Sequence, residues 1–156
     1  NRSFVQQVKD MLVEFDIEAT RLELEITENI LMDEPQIVIE SLHLLRNSGV
    51  QIAIDDFGTG FSSMSYLQKM PLNRLKIDRS FIKSCSHENP SILAETVITL
   101  AQKLNLQTIA EGVESEQQAE YLESLGCNEV QGFLYAKPMN FDALFNRLQL
   151  QNNKAQ

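Results

Sequence analysis

Val50-Gln51-Ile52-Ala53-Ile54-Asp55-Asp56-Phe57-Gly58-Thr59-Gly60-Phe61-Ser62-Ser63 is the stretch on which the reading of this chain turns. A short β-branched, apolar run ends in two adjacent carboxylates, and a Gly-x-Gly turn follows at once. Burying a charge is costly unless it is paired or bound to metal, so two acids have no packing use at the tip of a buried strand. The run reads as a strand that delivers two oxygen ligands to the mouth of a pocket. The same residues also allow a plainer reading, in which Asp56 caps the next turn and Asp55 is solvated.

Working outward, the flanking segments alternate in period. Upstream, Val5, Val8, Leu12 and Phe15 recur at helical spacing, and Leu22–Glu28 alternates strictly with period two, as a strand does. Pro35 suits the first turn of a helix with an apolar stripe of Val38, Leu42 and Leu45, and Gly49 suits the cap after it. The strand Val50–Asp55 follows. Downstream, the spacing predicts a short helix over 62–68, a strand within Leu72–Asp78, and a polar loop over 85–91. A helix marked by Leu93, Val97, Leu100 and Leu104 comes next, then a strand Leu106–Ala110. Ser115 with Gln118 forms a capping box for the next helix. A last strand is expected over Cys127–Phe133. Asn140 caps a closing helix with Phe141, Leu144 and Leu148 on one face, so one domain spans 1–150 and a frayed polar tail 151–156. Strand and helix alternate five times. Such alternation implies a parallel sheet with helices outside it, as an open sheet or a (β/α) barrel.

Bulk properties narrow the function classes. The 156 residues suffice for one ordinary domain, with 43% hydrophobic and 22% charged residues marking a globular chain. Thirteen basic against 22 acidic residues leave a net charge of −9 and no basic cluster, which argues against a grip on long nucleic acid. An acidic protein handling a phosphate ligand needs cations to offset the repulsion. Cys85 and Cys127 lack a CxxC spacing and read as reduced or buried residues of a cytosolic protein, not as a disulfide framework. No apolar run approaches the roughly 20 residues of a membrane span. No signal-peptide pattern opens the chain, and it begins on Asn1 rather than Met, as a piece of a longer protein would.

Each of the five strand tips ends in polar groups: Glu25 and Glu28; Asp55 and Asp56; Lys76 and Asp78; Glu111 and Glu114; and Gln131. In a parallel α/β fold these tips share one face, where active sites form. Glu25, Asp55, Asp56 and Glu111 are hard oxygen donors without Cys or His beside them, a set that selects Mg²⁺ or Mn²⁺ over Zn²⁺. Four carboxylates exceed what one Mg²⁺ usually recruits and suggest a two-metal site clamping a phosphodiester. Lys76 would hold a water or a phosphate oxygen, or form a plain ion pair with Asp78 or Asp55. Gln131 would fix a ligand or a metal-bound water. Gly58, Thr59 and Gly60 read as a mobile loop beside the ligands, which Glu28 could brace by accepting backbone N–H bonds unless it is a solvated strand end or a cap on the following turn. Asp78 would support the ligands from behind. Glu114 fits an acid placed at a helix start by the helix dipole. His43 and His87 lie away from the strand tips, and Phe61, Met64 and Met70 read as packing.

Five blocks together resemble the EAL domain family: Leu-Glu-Ile-Thr-Glu (24–28), Asp-Asp-Phe-Gly-Thr-Gly-Phe-Ser-Ser (55–63), Leu-Lys-Ile-Asp (75–78), Ala-Glu-Gly-Val-Glu (110–114) and Gln-Gly-Phe (131–133). The resemblance runs along essentially the whole chain. It implies a TIM-like barrel and a bacterial phosphodiesterase that hydrolyses cyclic di-GMP to linear pGpG with Mg²⁺ or Mn²⁺. It implies metal binding by Glu25, Asp55 and Asp56, and places Lys76 near the attacking water. Glu111 becomes a metal ligand or general base, Gln131 part of the metal–water network, and Glu28 the brace of a loop linked to substrate binding and dimerisation. It also implies two ions, a possible homodimer, an upstream sensory or diguanylate cyclase (GGDEF) domain, and a cytoplasmic location.

The chain departs from the family in one respect. The name-giving Glu-Ala-Leu segment and the asparagine of the next strand are absent and expected upstream of residue 1. A TIM barrel takes about 250 residues and eight strands, whereas five strands are legible here. The expectation is therefore the C-terminal part of an EAL domain, binding metal weakly and hydrolysing little on its own. The competing function is a non-catalytic cyclic di-GMP receptor, since the upstream glutamate is unseen. A barrel enzyme of other chemistry, a Mg²⁺-dependent lyase or phosphatase, is remote once the motif blocks are counted.

Overall fold

Five parallel strands carry the fold in the computed structural model, which describes residues 2–27, 35–58 and 67–154. They are β1 (Glu23–Thr27), β2 (Gln51–Phe57), β3 (Arg74–Ile77), β4 (Gln107–Glu111) and β5 (Glu129–Gln131), hydrogen-bonded in chain order. Helices α1 (Arg2–Glu14), α2 (Pro35–Arg46), α3 (Arg79–Ile82), α4 (Ile92–Lys103), α5 (Glu116–Ser124) and α6 (Phe141–Lys154) separate and flank them. A 3₁₀ turn at Ala19–Arg21 leads into β1.

The two faces of the sheet differ sharply. Ile52, Ile54, Leu75, Ile77 and Ala110 are fully buried, with Leu45, Ile98 and Leu122 of the helices in the same apolar cluster. The alternate residues are mostly polar, Glu23, Glu25, Asp55, Arg74, Lys76, Gln107, Glu111, Glu129 and Gln131 among them, with Ala53 and Ile109 as apolar members of the same face. Strands of a parallel sheet buried on both faces read as continuous apolar runs. Here the period of two survives because the second face carries a polar layer.

Strand order and stagger decide between the open sheet and the barrel. A doubly wound sheet reverses its strand order at a switch point; this one runs β1 to β5 without reversal. The ion pairs across the polar face are also slanted against the backbone register. The ladder puts Arg74 level with Ala53, and Ala53 level with Glu25, yet Arg74 pairs with Glu23, two residues lower. On the other side Lys76 is level with Ile109 but pairs with Glu111, two residues higher. A layer of side chains that descends toward β1 and climbs toward β5 is the stagger of strands tilted about a barrel axis. The described sheet is an arc of such a barrel.

Most local expectations are met by visible chemistry. The Ser115 hydroxyl and Gln118 side chain form the reciprocal capping box of α5, and the Asn140 side chain accepts from Ala143 N–H at 3.0 Å. Several details differ. β2 runs two residues past Asp55, because a bulge lets pairing resume at Phe57. β5 stops at Gln131, where Gly132 accepts from Tyr135 N–H in a turn. Helix α3 occupies residues 79–82, where the sequence pattern predicts no element, and the loop expected over 85–91 follows it; the cap of α3 is Asp78, whose carboxylate accepts from Ser80 N–H. Helix α6 runs through to Lys154, beyond the expected start of the polar tail. The helix expected at 62–68 falls on residues outside those described except at Leu67 and Gln68.

Candidate active site

Two adjacent aspartates on a regular strand would point to opposite faces. β2 avoids this with one extra residue. Ile54 pairs with Leu75 and Phe57 with Ile77, so three steps on β2 match two on β3. Asp56 occupies the bulge at φ 51°, a left-handed conformation that Asp tolerates better than most residues. The bulge keeps Asp56 on the side of Asp55 and returns Phe57 to the apolar layer. Carboxylate oxygens of Asp55, Asp56 and Glu111 then lie within 4.8 Å of one another. Around one octahedral Mg²⁺ at most one pair of oxygens stands opposite, about 4.2 Å apart, and the other pairs are adjacent, about 3 Å apart, so the three side chains must draw together to hold such an ion. Hard, oxygen-only donors fit Mg²⁺ or Mn²⁺. Glu25 lies outside the three-acid group but joins it through Lys76.

Lys76 sits at the centre, 6% exposed. Its ammonium contacts Glu25 at 2.8 Å, Asp55 at 3.0 Å and Glu111 at 2.8 Å. An ammonium has three donors, and three carboxylates consume them. The ion-pair alternative with Asp55 is thus realised within a larger cluster, while Asp78 turns away to Ser80 N–H at 3.0 Å and to the Ser80 hydroxyl. Burial pushes the lysine pKa down, but hydrogen bonds to Glu111, Glu25 and Asp55 outweigh it and leave the pKa raised. Lys76 is therefore a fixed cation at neutral pH and no proton acceptor.

Asp56 titrates higher than usual, through burial and the charges of Asp55 and Asp78, against the lowering influence of Lys76. Asp78 titrates lower than usual, chiefly through the Ser80 hydroxyl. It caps α3 and stands behind Asp56. Gly58 follows the bulge at φ 93°, and a Cβ there would lie 2.9 Å from the Phe81 ring. Gln131 is exposed and level with Glu111 on β5. Glu114 is exposed just before the Ser115 cap of α5, and its N–H donates to the Gln118 side chain at 2.7 Å. Glu28, Thr59 and Gly60 lie outside the described residues. His43 is exposed on α2 and His87 stacks edge-on against Tyr121, away from the cluster. Sequence reasoning assigned nothing to Arg74, although it precedes Lys76 by two residues and so shares its face.

The EAL domain model matches residues 1–138. The bifunctional diguanylate cyclase/cyclic di-GMP phosphodiesterase MucR of Pseudomonas aeruginosa is 42% identical over 141 residues, 90% of this chain and 21% of that protein. The cyclic di-GMP phosphodiesterase NbdA of the same organism is 43% identical over 143 residues, 91% of this chain and 18% of that protein. The solved c-di-GMP complex of the MucR phosphodiesterase superposes with a TM-score of 0.84 at 42% identity, covering 90% of this chain and 63% of that one. A manganese/cy-diGMP complex of Klebsiella pneumoniae BlrP1 superposes at 0.76 and 27% identity, covering 88% and 36%. The chain thus spans about a fifth of the length of the curated relatives it matches.

Proposed function

The chain belongs to the EAL domain family, and on that premise we propose that it carries the site of a metal-dependent phosphodiesterase hydrolysing cyclic di-GMP to linear pGpG. One observation carries the reading: Glu25, Asp55, Asp56 and Glu111, from three strands, gather at the strands' C-terminal ends around the Lys76 ammonium. The cyclic di-GMP phosphodiesterases among the relatives and the solved c-di-GMP complexes support the substrate.

Asp55, Asp56 and Glu111 would hold one Mg²⁺ or Mn²⁺, with Glu25 serving a second ion in a closed barrel. A bound ion of this kind polarises a phosphoryl oxygen and makes water more acidic. The remaining chemistry belongs to the chain. Glu111 takes the proton from the attacking water at its carboxylate oxygen. Lys76, held protonated, meets negative charge on an oxygen, for which it must release one of its three carboxylates. Gln131, level with Glu111, orients a water or the ligand. Glu28 steadies the loop after the two aspartates, which serves substrate binding and dimerisation. The chain works beside a sensory or diguanylate cyclase domain in the cytoplasm, as a monomer or a homodimer, and turns over slowly alone because β1 and β5 each pair on one side only among the described residues.

The test is to incubate the chain with cyclic di-GMP and Mg²⁺ or Mn²⁺ and separate the products by chromatography. Linear pGpG is expected, slower than from a complete EAL domain, and Glu111→Gln should lower the rate about 100-fold. Binding in Ca²⁺ with no linear product in either catalytic metal would make the chain a receptor. No binding in any metal would remove both readings.

A further inference from the structure

Beneath the carboxylate cluster lies a second ionic layer. Arg74 shares the polar face of β3 with Lys76. Its guanidinium reaches Glu23 on β1 at 3.4 Å, Gln107 on β4 at 3.2 Å and Glu129 on β5 at 2.6 Å. Glu23 and Glu129 stand two residues before Glu25 and Gln131, and Gln107 four before Glu111. Each partner therefore lies on the same strand and the same face as a residue of the site.

β1 and β5 are the edge strands of the described sheet, each held by a backbone ladder on one side. Ladders fix strand spacing but leave the curvature of the arc soft. β3 is two strands from either edge, about 10 Å across a flat sheet. Contacts to both edges from one guanidinium draw them inward, toward the polar face. Arginine suits such bridging, since its planar fork presents donors in fixed and divergent directions, where an ammonium is a compact point. One positive charge also separates two carboxylates that would otherwise repel across the concave face.

We propose that Arg74 is a positioning residue, which sets the curvature that brings Glu25 and Gln131 up to Lys76, Asp55 and Glu111. The inference rests on the metal-dependent reading above and adds to it a residue that touches neither metal nor substrate.

The test is Mn²⁺ titration of the 156-residue chain, following free Mn²⁺ by electron paramagnetic resonance, with melting followed by circular dichroism in parallel. Asp55→Asn defines binding outside the site. Gln118→Ala serves as the structural control: Gln118 is buried on α5 and donates to the carbonyls of Ile82 and Lys83 at the end of α3. Arg74→Met should weaken Mn²⁺ binding about tenfold, the scale of a lost outer partner of a metal ligand. Arg74→Lys should recover part of that loss. Gln118→Ala should lower the melting temperature and leave the Mn²⁺ affinity unchanged. A folded Arg74→Met with wild-type affinity overturns the inference, as does a Gln118→Ala that weakens binding equally. If Arg74→Met does not fold, Glu129→Gln is read in its place by the same criterion. Wild-type protein that binds Mn²⁺ no better than Asp55→Asn overturns the metal-site reading and this inference with it, whereas wild-type binding with an indifferent Arg74→Met overturns the inference alone.

Discussion

Replacing Lys76 with methionine removes the cation from a cluster of three carboxylates and keeps the volume of the side chain. Breaking a buried ion pair by deleting one partner costs about 3–5 kcal/mol. The cost here is discounted, because Glu25 is 48% exposed and Asp55 and Glu111 23% each, leaving about 2–3 kcal/mol after solvent screening. For a chain of this size that lowers the melting temperature by about 4–12 °C. The sign with pH follows from the raised lysine pKa: its stabilisation is intact below the ordinary value of 10.5 and is lost only as pH climbs through the higher folded value. The gap between wild type and Lys76→Met should accordingly stay flat from about pH 6 to 9. On the metal site proposed above, divalent cations would bind the same oxygens, so saturating Mn²⁺ should narrow the gap by stabilising the variant more than the wild type. The assay is thermal unfolding followed by circular dichroism in EDTA and in Mn²⁺. A variant that melts with the wild type in EDTA, or a deficit that Mn²⁺ leaves untouched, would refute the idea that the ammonium neutralises the carboxylates.

Three more outcomes are expected. Asp78→Ala removes the cap of α3 and should cost about 1 kcal/mol at neutral pH; since the Asp78 pKa is lowered, its contribution is present above 3.8 and fades as pH falls below it. Urea unfolding at both pH extremes checks this, and a constant difference would contradict it. Asp56→Asn should stabilise the metal-free chain at neutral pH and weaken Mn²⁺ binding, because the raised pKa means that the Asp56 charge is disfavoured in the folded state; the gain should shrink as pH falls toward 3.8. A destabilised, metal-free Asp56→Asn would argue otherwise. Gly132→Ala would place its Cβ 2.0 Å from the carbonyl oxygen of Val113, disturbing the bonds from Val113 N–H to Gln131 and from Leu134 N–H to Val113, each 3.0 Å. It should destabilise by about 2–3 kcal/mol, and chemical denaturation showing no loss would mean that the junction can shift freely.

Much of the site is legible in the chain because the signals are local. A strand's two faces follow from alternation, so Glu25, Asp55, Lys76 and Glu111 can be put at strand tips before any contact is known. Caps such as Ser115 with Gln118 and Asn140 act within a few residues, and they too are read directly. The short helix after β3 escapes such a reading although Asp78 and Ser80 carry its cap, because four residues are too few to show a helical period. The partners of Lys76 cannot be chosen either: Asp78 is nearer in sequence, but the ammonium bonds residues on β1, β2 and β4.

The amino-acid order by itself determined the five strands and the longer helices, which face of the strands carries the charged residues, and which acids and bases stand at the strand ends, since propensity, period and capping act over a handful of neighbours. Only the tertiary structure decided that β2 bulges to turn Asp56 toward Asp55, that Lys76 holds three carboxylates, and that Arg74 ties both edge strands to the centre. Those choices depend on the tilt, register and curvature of segments separated by 20 to 55 residues, and no local pattern encodes them.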